Sequence, residues 1–233
     1  MVSGVTERYR QAAVPPPVLL YVDCGCCVTQ GASKLQTRFA EWPELHIRLD
    51  IWHFMRRLAV GCTTDAHVLY PTFMGGLSAS IFEWDAGDLA LLRHMKRVEL
   101  SREGVPDLTD LLVDRRISNK ELSQFCRRRT RSVEDTISCI ERLLRELGGP
   151  GGRDLMGVPL IDKVRMEHIW RVQKHHVRCI QDLPGVRLYT EVGTATKAGV
   201  VLTRYRCARG STSLESFHLH LNRLIPGWCL SYV

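Results

Sequence analysis

Three acidic residues and one histidine stand where they could bind a cation. Asp23 directly follows the apolar run 18–22, and Asp50 follows a second run, with His53 in the same short motif. Glu215 lies far downstream, near the beginning of a predicted helix. Carboxylate oxygens are the ligands that hard divalent cations prefer. A carboxylate at the carboxyl end of a parallel strand also lies where open α/β sheets bind their ligands.

Each of these residues also has a purely structural explanation. Asp23 could begin a turn, and Asp50 could cap a helix by accepting backbone N–H bonds. His53 could be a hydrogen-bonded core residue, which is the commoner fate of a lone histidine. Thr212 and Glu215 have the spacing of a capping box. The residue types alone therefore leave both interpretations open.

The elements that would position these side chains follow from the apolar pattern. The continuous run 18–22 predicts a strand buried on both faces, and the alternating run 45–49 predicts a second strand that ends at Asp50. Ser33 is a candidate N-cap for a helix between them. A strand, a helix and a strand in so short a stretch predict a βαβ unit with parallel strands.

Helical patterns dominate the middle of the chain. The candidate helices span residues 51–61, 65–83, 86–99, 118–128, 131–147 and 159–181. A glycine-rich stretch at 148–152 predicts a flexible loop between two of them. Beyond residue 184 the period returns to two, which predicts a hairpin of 186–192 and 199–207 around a loop at 193–198. A last helix is predicted at 213–224.

This order of elements favours an α/β protein with a large all-helical insertion. We predict a polar, proline-rich lead-in at residues 1–16 and an α/β core at 17–62. The helical insertion would span 63–183. A hairpin and a closing helix at 184–233 would then return to the core.

Charge, cysteine content and hydropathy restrict the class of protein. The net charge of +7 points to an acidic partner, with nucleic acid the first candidate. Nine cysteines without a repeating spacing argue against a disulfide framework and for a reducing compartment. The first residues are too polar for a signal peptide, and no apolar run is long enough to span a bilayer. We therefore predict a nuclear or cytoplasmic protein with no membrane partner.

Two groups of arginines are candidates for phosphate contacts. Arg56 and Arg57 closely follow His53. A second group lies in the helical block and consists of Arg127, Arg128, Arg129 and Arg131. Binding through phosphate contacts would weaken steeply as salt rises. A solvated surface or a nuclear import signal explains the second group equally well.

A cysteine cluster invites a zinc interpretation. Cys24, Cys26 and Cys27 lie close together, and Cys62 and His53 could complete a ligand set. Structural zinc sites use paired ligands at defined spacings, and the chain has no second pair spaced for it. Zinc is therefore the weaker interpretation of these cysteines.

Three strings in order resemble the ribonuclease-H-like catalytic domain of eukaryotic cut-and-paste DDE transposases, in the hAT, Mutator-like and P-element group. There, a catalytic Asp follows a core strand, as Asp23 does here. A motif of Cys or Asp, two residues and His follows the next strand, as in Asp50-Ile51-Trp52-His53. A catalytic Glu opens a helix after a helical insertion, as Glu215 would. The series spans residues 17 to 225 and is similar to multi-copy transposon-derived animal proteins.

The resemblance implies a partial ribonuclease-H-like core and a metal-dependent site. Asp23 and Glu215 would bind Mg²⁺ or Mn²⁺, with His53 and Asp50 as supporting residues of the catalytic site. DNA is the implied partner and RNA the second choice, while the oligomeric state stays open. The family's first catalytic Asp has no counterpart, because residues 1–22 contain no Asp.

We therefore expect an N-terminally truncated chain with an incomplete acidic triad that does not cleave nucleic acid alone. The missing leading strands would leave one edge of the strand at 18–22 without a neighbour. The alternatives are a non-enzymatic DNA- or RNA-binding module of a domesticated transposon and a decayed gene fragment.

Overall fold

The computed structural model describes residues 2–28, 31 and 33–210. The described chain forms two compact units, one of residues up to Phe54 and from Arg209 onward, the other of Met55–Ala208. Helices and small sheets are mixed along the chain, which confirms the predicted α/β class. Within the described ranges, no helix has both the length and the apolar character needed to cross a bilayer.

The first unit contains the predicted βαβ arrangement. Its elements are α1 (Val2–Gln11), β1 (Leu19–Val22), α2 (Lys34–Arg38), β2 (His46–Leu49) and the beginning of α3 (Ile51–Ala59). Strands β1 and β2 are parallel, with Leu19 opposite His46 and Val22 opposite Leu49. Ser33 caps α2 in a capping box with Gln36, as its position predicted. The local signals in this stretch were therefore sufficient to predict the strand–helix–strand order.

Two features of the first unit differ from the sequence-based expectation. All four residues of β1 are only half-buried, so the prediction of a strand buried on both faces is wrong. Within the described residues β1 belongs to a two-stranded sheet, and pairing with β2 does not bury its faces, because the faces of a strand are covered by packed layers and not by the strand beside it. The stretch predicted as a polar lead-in contains α1, whose Tyr9 packs edge-on against Trp42 at 5.1 Å between ring centroids.

The second unit is built mainly from helices. They are α4 (Tyr70–Ile81), α5 (Ala86–Arg102), α6 (Asp110–Arg116), α7 (Asn119–Phe125), α8 (Val133–Leu147) and α9 (Lys163–Gln173), followed by a 3₁₀ helix at Lys174–Ile180. Polar side chains cap most of their N-termini, namely Asp85, Thr109, Ser118, Ser132 and Asp162. One hydrophobic core cluster of this unit includes the buried residues Leu92, Met95, Val113, Phe125 and Leu202. Helices α4 and α8 approach closely at Gly76, where a Cβ would lie 2.6 Å from Leu143 Cδ1.

A short antiparallel ladder in this unit was not predicted. Strand β3 (Phe82–Trp84) pairs with β4 (Arg128–Thr130), with Phe82 opposite Thr130. The sequence pattern assigned helix to residues at the edges of both strands, and that assignment is wrong there. Three residues are too few to display an alternating pattern, so only the pairing across the unit reveals these strands.

The predicted hairpin is present, but its first strand extends further along the chain and its turn is tighter. Strand β5 (Tyr189–Lys197) pairs with β6 (Val200–Cys207), so residues predicted as a loop at 193–197 belong to β5. The turn is Ala198-Gly199, both with positive φ (49° and 80°), as tight hairpin turns require. Gly193, with φ of 134°, marks a bulge where the register shifts. The predicted closing helix at 213–224 lies outside the described residues.

Candidate functional site

Asp23, Asp50 and His53 meet at one edge of the parallel pair in the first unit. Asp23 follows β1 and Asp50 follows β2, and the register places the last residues of the two strands side by side. His53 stands on the first turn of α3. Its Nδ1 lies 3.2 Å from Asp23 Oδ1 and 3.3 Å from Asp50 Oδ1. The structure therefore brings together three of the four residues assigned to a site from sequence.

The two carboxylates of this Asp23–His53–Asp50 cluster have different environments. The Asp50 side chain is only 3% exposed, and its Oδ1 accepts the His53 backbone N–H at 3.1 Å. Asp50 thus caps α3, as its structural explanation predicted. The Asp23 side chain is 64% exposed. Asp50 is therefore buried beside His53, whereas Asp23 faces solvent.

The contacts of His53 determine where its ring carries a proton. Its Nδ1 faces two carboxylate oxygens, which can only accept hydrogen bonds when ionised, so Nδ1 carries the proton. In the neutral ring, Nε2 then holds the lone pair. The exposed ring of Trp52 lies against His53 edge-on, with centroids 4.9 Å apart. The cluster can hold the Asp23 carboxylate in a fixed orientation by a hydrogen bond from His53.

Glu215, the remaining predicted ligand, lies outside the described residues. The chain that leads towards it does contact the cluster. Gly210 adopts a φ of 84°, and a Cβ at this position would lie 2.8 Å from Asp50 Oδ2. The sequence analysis did not identify Gly210 as part of the site, because locally it is only a turn glycine ahead of a predicted helix.

Comparisons with known proteins are negative. No protein-family model matches the chain, and searches of curated proteins and of solved structures give no match. The functional argument therefore depends on the geometry and chemistry of the chain itself.

The predicted phosphate-binding arginines belong to the second unit. Arg56 Nη1 donates to the Tyr70 hydroxyl at 3.3 Å, and Arg57 Nη1 donates to Gln173 Oε1 at 3.3 Å. Phosphate binding by these two residues stays a prediction.

The second arginine group lies along β4 and its flanks rather than on a helix. Arg127 pairs with Asp88 at 2.8 Å, while Arg129 and Arg131 both pair with Glu83, at 2.6 and 3.2 Å. Burial acts to raise the pKa of Asp88, but hydrogen bonds from Arg127 outweigh it and lower that pKa. These ion pairs give the arginines a structural role that the sequence did not show, because Asp88 lies 39 residues from Arg127. Their contact with nucleic acid stays a prediction.

The cysteines of the first unit lie close together. Cys26 Sγ and Cys27 Sγ are 4.0 Å apart, Cys26 is buried and Cys24 is exposed. Cys62, considered as a further ligand, is part of the second unit.

We expect the thiols to react in two separate groups. Burial raises the pKa of Cys62 to about 11 and that of Cys126 to about 12, so few of these thiols are ionised near neutral pH. Cys24 is exposed. An aromatic disulfide reagent should label Cys24 in the folded protein and the buried Cys62 and Cys126 only after unfolding, as followed by mass spectrometry. Labelling of all three at similar rates would contradict the described burial.

Proposed function

We propose that this chain is a transposase-derived, nucleic-acid-associated protein that carries part of a divalent-cation site and does not cleave nucleic acid alone. Its first unit would be a partial ribonuclease-H-like core, with the second unit as a helical insertion. The observation that supports this is the convergence of Asp23, Asp50 and His53 at the carboxyl ends of two parallel strands. That is the edge at which open α/β sheets bind ligands.

The carboxylate oxygens of the proposed site suit a hard divalent cation that takes only a few of its ligands from the protein. Mg²⁺ and Mn²⁺ take oxygen ligands, and Mg²⁺ commonly keeps several waters while bound by one or two carboxylates and a substrate phosphate. Exposed Asp23 would supply one carboxylate, and Glu215 would supply a second, as the resemblance implies. When bound, the cation would neutralise charge on a phosphate. Asp50 and His53 would orient Asp23 rather than ligate.

Cleavage by the chain alone is not part of the proposal. The resemblance requires a further carboxylate from a strand upstream of Asp23, and residues 1–22 contain no Asp. Two-metal catalysis needs ligands for both ions. A non-enzymatic binding module that uses the second arginine group is the weaker alternative, because Arg127, Arg129 and Arg131 already pair with carboxylates of the chain.

The test is direct cation binding by the purified chain. We expect wild type to bind Mn²⁺, measured by electron paramagnetic resonance of the free ion, and Asp23→Asn to weaken binding about tenfold, the effect of one lost charged ligand. The asparagine keeps the size of the side chain and removes only its charge. Asp65→Asn is the matched control, because Asp65 is an exposed carboxylate in the other unit and should leave Mn²⁺ binding unchanged.

Duplex DNA gives the second readout. Mg²⁺ ordinarily competes with a protein for phosphates, so DNA binding at constant ionic strength should weaken with Mg²⁺ in Asp23→Asn but not in wild type. Equal loss in both proteins would count against a cation site that meets nucleic acid. Metal-dependent cleavage of DNA by the wild-type chain would overturn the statement that it is inactive alone.

A further inference from the structure

A pocket of about 480 Å³ opens within the second unit. It lies among α4, α7 and the two antiparallel ladders, and its walls include Gly75, Phe82, Trp84, Asn119, Arg128 and Tyr189. The volume falls within the range of about 300–1,000 Å³ typical of small-molecule sites. The proposed cation site uses none of these residues.

The space exists because one face of α4 carries small side chains. Gly75, Ser78 and Ala79 line the pocket at helical spacing. A Cβ built at Gly75 would meet no atom within 4 Å, unlike one at Gly76 in the next position. A Cβ at Gly76 would meet the Leu143 side chain of α8, whereas Gly75 borders open space. A glycine inside an exposed helix costs stability relative to alanine, and helix packing does not account for this one.

The walls combine aromatic rings with a fixed cation. The Arg128 guanidinium lies 4.0 Å from the centroid of the Phe82 ring and 5.9 Å from that of Trp84, and its Nη1 donates to Ser78 Oγ at 3.4 Å. The Tyr189 hydroxyl accepts the Arg128 backbone N–H at 3.1 Å. These contacts hold the guanidinium in place at the pocket wall.

The wall of the pocket carries a positive charge. Arg128 is the only charged residue among the described residues that line it. Its neighbours Arg127 and Arg129 point away from it and pair with Asp88 and Glu83, as the alternation of a strand requires. Asn119 and Ser123 of α7 add an amide and a hydroxyl at the margin. The pocket therefore favours a planar, anionic ligand with hydrogen-bonding edges.

We propose that this pocket binds a nucleotide, with the base against Trp84 and Tyr189 and the phosphate next to Arg128. Aromatic side chains stack on any base, and a guanidinium matches the geometry of a phosphate. The amide of Asn119 can donate to and accept from the polar edge of a base. A free mononucleotide and a nucleotide within a single strand present the same chemistry. The proposal goes beyond the function proposed above and does not depend on it.

The experiment measures binding of adenosine 5′-monophosphate, of adenosine and of a labelled single-stranded oligonucleotide by equilibrium dialysis and fluorescence anisotropy. We expect wild type to bind at least one of the two phosphate-bearing ligands. Gly75→Leu should weaken that binding by at least about tenfold, the size of a lost stacking contact. Gly75→Ala is the matched control and should keep the affinity, since a methyl group fills little of the pocket. Both variants place a better helix former in open space and should fold.

A second variant tests the pocket without a substitution in α4. Arg128→Gln should weaken binding of the monophosphate and leave binding of the nucleoside nearly unchanged, because only the phosphate contact is lost. If only the oligonucleotide binds, the site recognises nucleotides within single strands. If the oligonucleotide and adenosine 5′-monophosphate both bind, the site also accepts free nucleotides. Unchanged affinity in Gly75→Leu, or failure of both phosphate-bearing ligands to bind wild type, would overturn the proposal. Mn²⁺ binding should be unaffected by Gly75→Leu. Loss of nucleotide binding in this variant can therefore be distinguished from failure of the proposed cation site.

Discussion

Gly152→Ala is expected to destabilise the protein by roughly 3 kcal/mol or more. Gly152 ends the 3₁₀ turn Pro150–Gly152 that follows α8, and it is buried. A Cβ at this position would lie 1.6 Å from the carbonyl oxygen of Leu147. That oxygen belongs to the backbone of the last helical turn, so no side-chain rotation can relieve the overlap.

Moving the Gly152 backbone would also break contacts that the turn makes with the following segment. The Gly152 carbonyl accepts the Leu160 N–H at 2.8 Å, and Leu160 is fully buried. Thermal and urea unfolding, followed by circular dichroism, would measure the loss. The midpoints of thermal and urea unfolding should fall in Gly152→Ala. The helix content of the folded variant at low temperature should equal that of wild type.

The neighbouring glycine is a control for chain entropy and helix-end effects. A Cβ at Gly151 would lie 3.9 Å from the Glu146 carbonyl oxygen, an ordinary contact. Gly151→Ala should change stability by no more than about 0.5 kcal/mol. Similar losses for both variants would mean that the turn itself, and not the close approach at Gly152, determines the effect.

Glu121→Gln is expected to cost roughly 3 kcal/mol, because it leaves Lys96 without its buried charge partner. Lys96 and Glu121 are 7% and 8% exposed, and Lys96 Nζ lies 2.8 Å from Glu121 Oε1. Ser118 donates to Glu121 Oε2 through both its backbone N–H and its hydroxyl at 2.9 Å. Lys197 adds a further positive charge, with its Nζ 3.4 Å from Glu121 Oε1. Denaturant unfolding near neutral pH would measure the loss.

Glu99→Gln is the matched control for this ion pair. Glu99 contacts the same lysine at 2.6 Å but its side chain is 38% exposed, so the substitution should cost less than about 1 kcal/mol. The double variant Lys96→Met with Glu121→Leu removes both buried charges and should be closer to wild type than Glu121→Gln. A double variant as unstable as the single one would show that packing, not an unpaired charge, explains the loss.

The same pair predicts how stability depends on pH. Burial acts to raise the pKa of Glu121, but hydrogen bonds from Lys96 and Ser118 outweigh it and lower the pKa from 4.5 to about 2. Because the folded pKa is the lower one, the stabilisation is fully present above pH 4.5 and is lost as the pH falls towards 2. The stability difference between wild type and Glu121→Gln should therefore shrink over that interval. A difference that is constant with pH would contradict the shift.

Much of the first unit could be predicted from the sequence, because its signals are local. An apolar run followed by Asp23, a capping serine before α2 and an alternating run that ends at Asp50 each occupy a few residues. A parallel βαβ connection then requires both strand ends to lie at one edge of the sheet. The meeting of Asp23, Asp50 and His53 follows from that topology. The roles of the two carboxylates did not follow, since the burial of Asp50 depends on its surroundings, including the backbone at Gly210.

The second unit shows what local patterns cannot determine. The sequence predicted most of its helices, but it placed Arg127 to Arg131 in the helical block as candidates for phosphate contacts. The structure pairs Arg127, Arg129 and Arg131 with acids of α5 and β3 that are far away in the chain. Contacts between segments that are far apart in the chain also form the β3–β4 ladder, the pocket and the buried Lys96–Glu121 pair.

The sequence alone determined the α/β class, the parallel strand pair, the helix caps at Ser33 and Asp50 and the position of three candidate site residues. Only the tertiary structure decided which arginines are paired, which carboxylate is exposed and where a pocket opens. Helix caps and strand periodicity arise from interactions between residues close in the chain, so a single sequence displays them. Burial and charge pairing arise between segments that meet only after folding, and their partners cannot be identified from spacing along the chain.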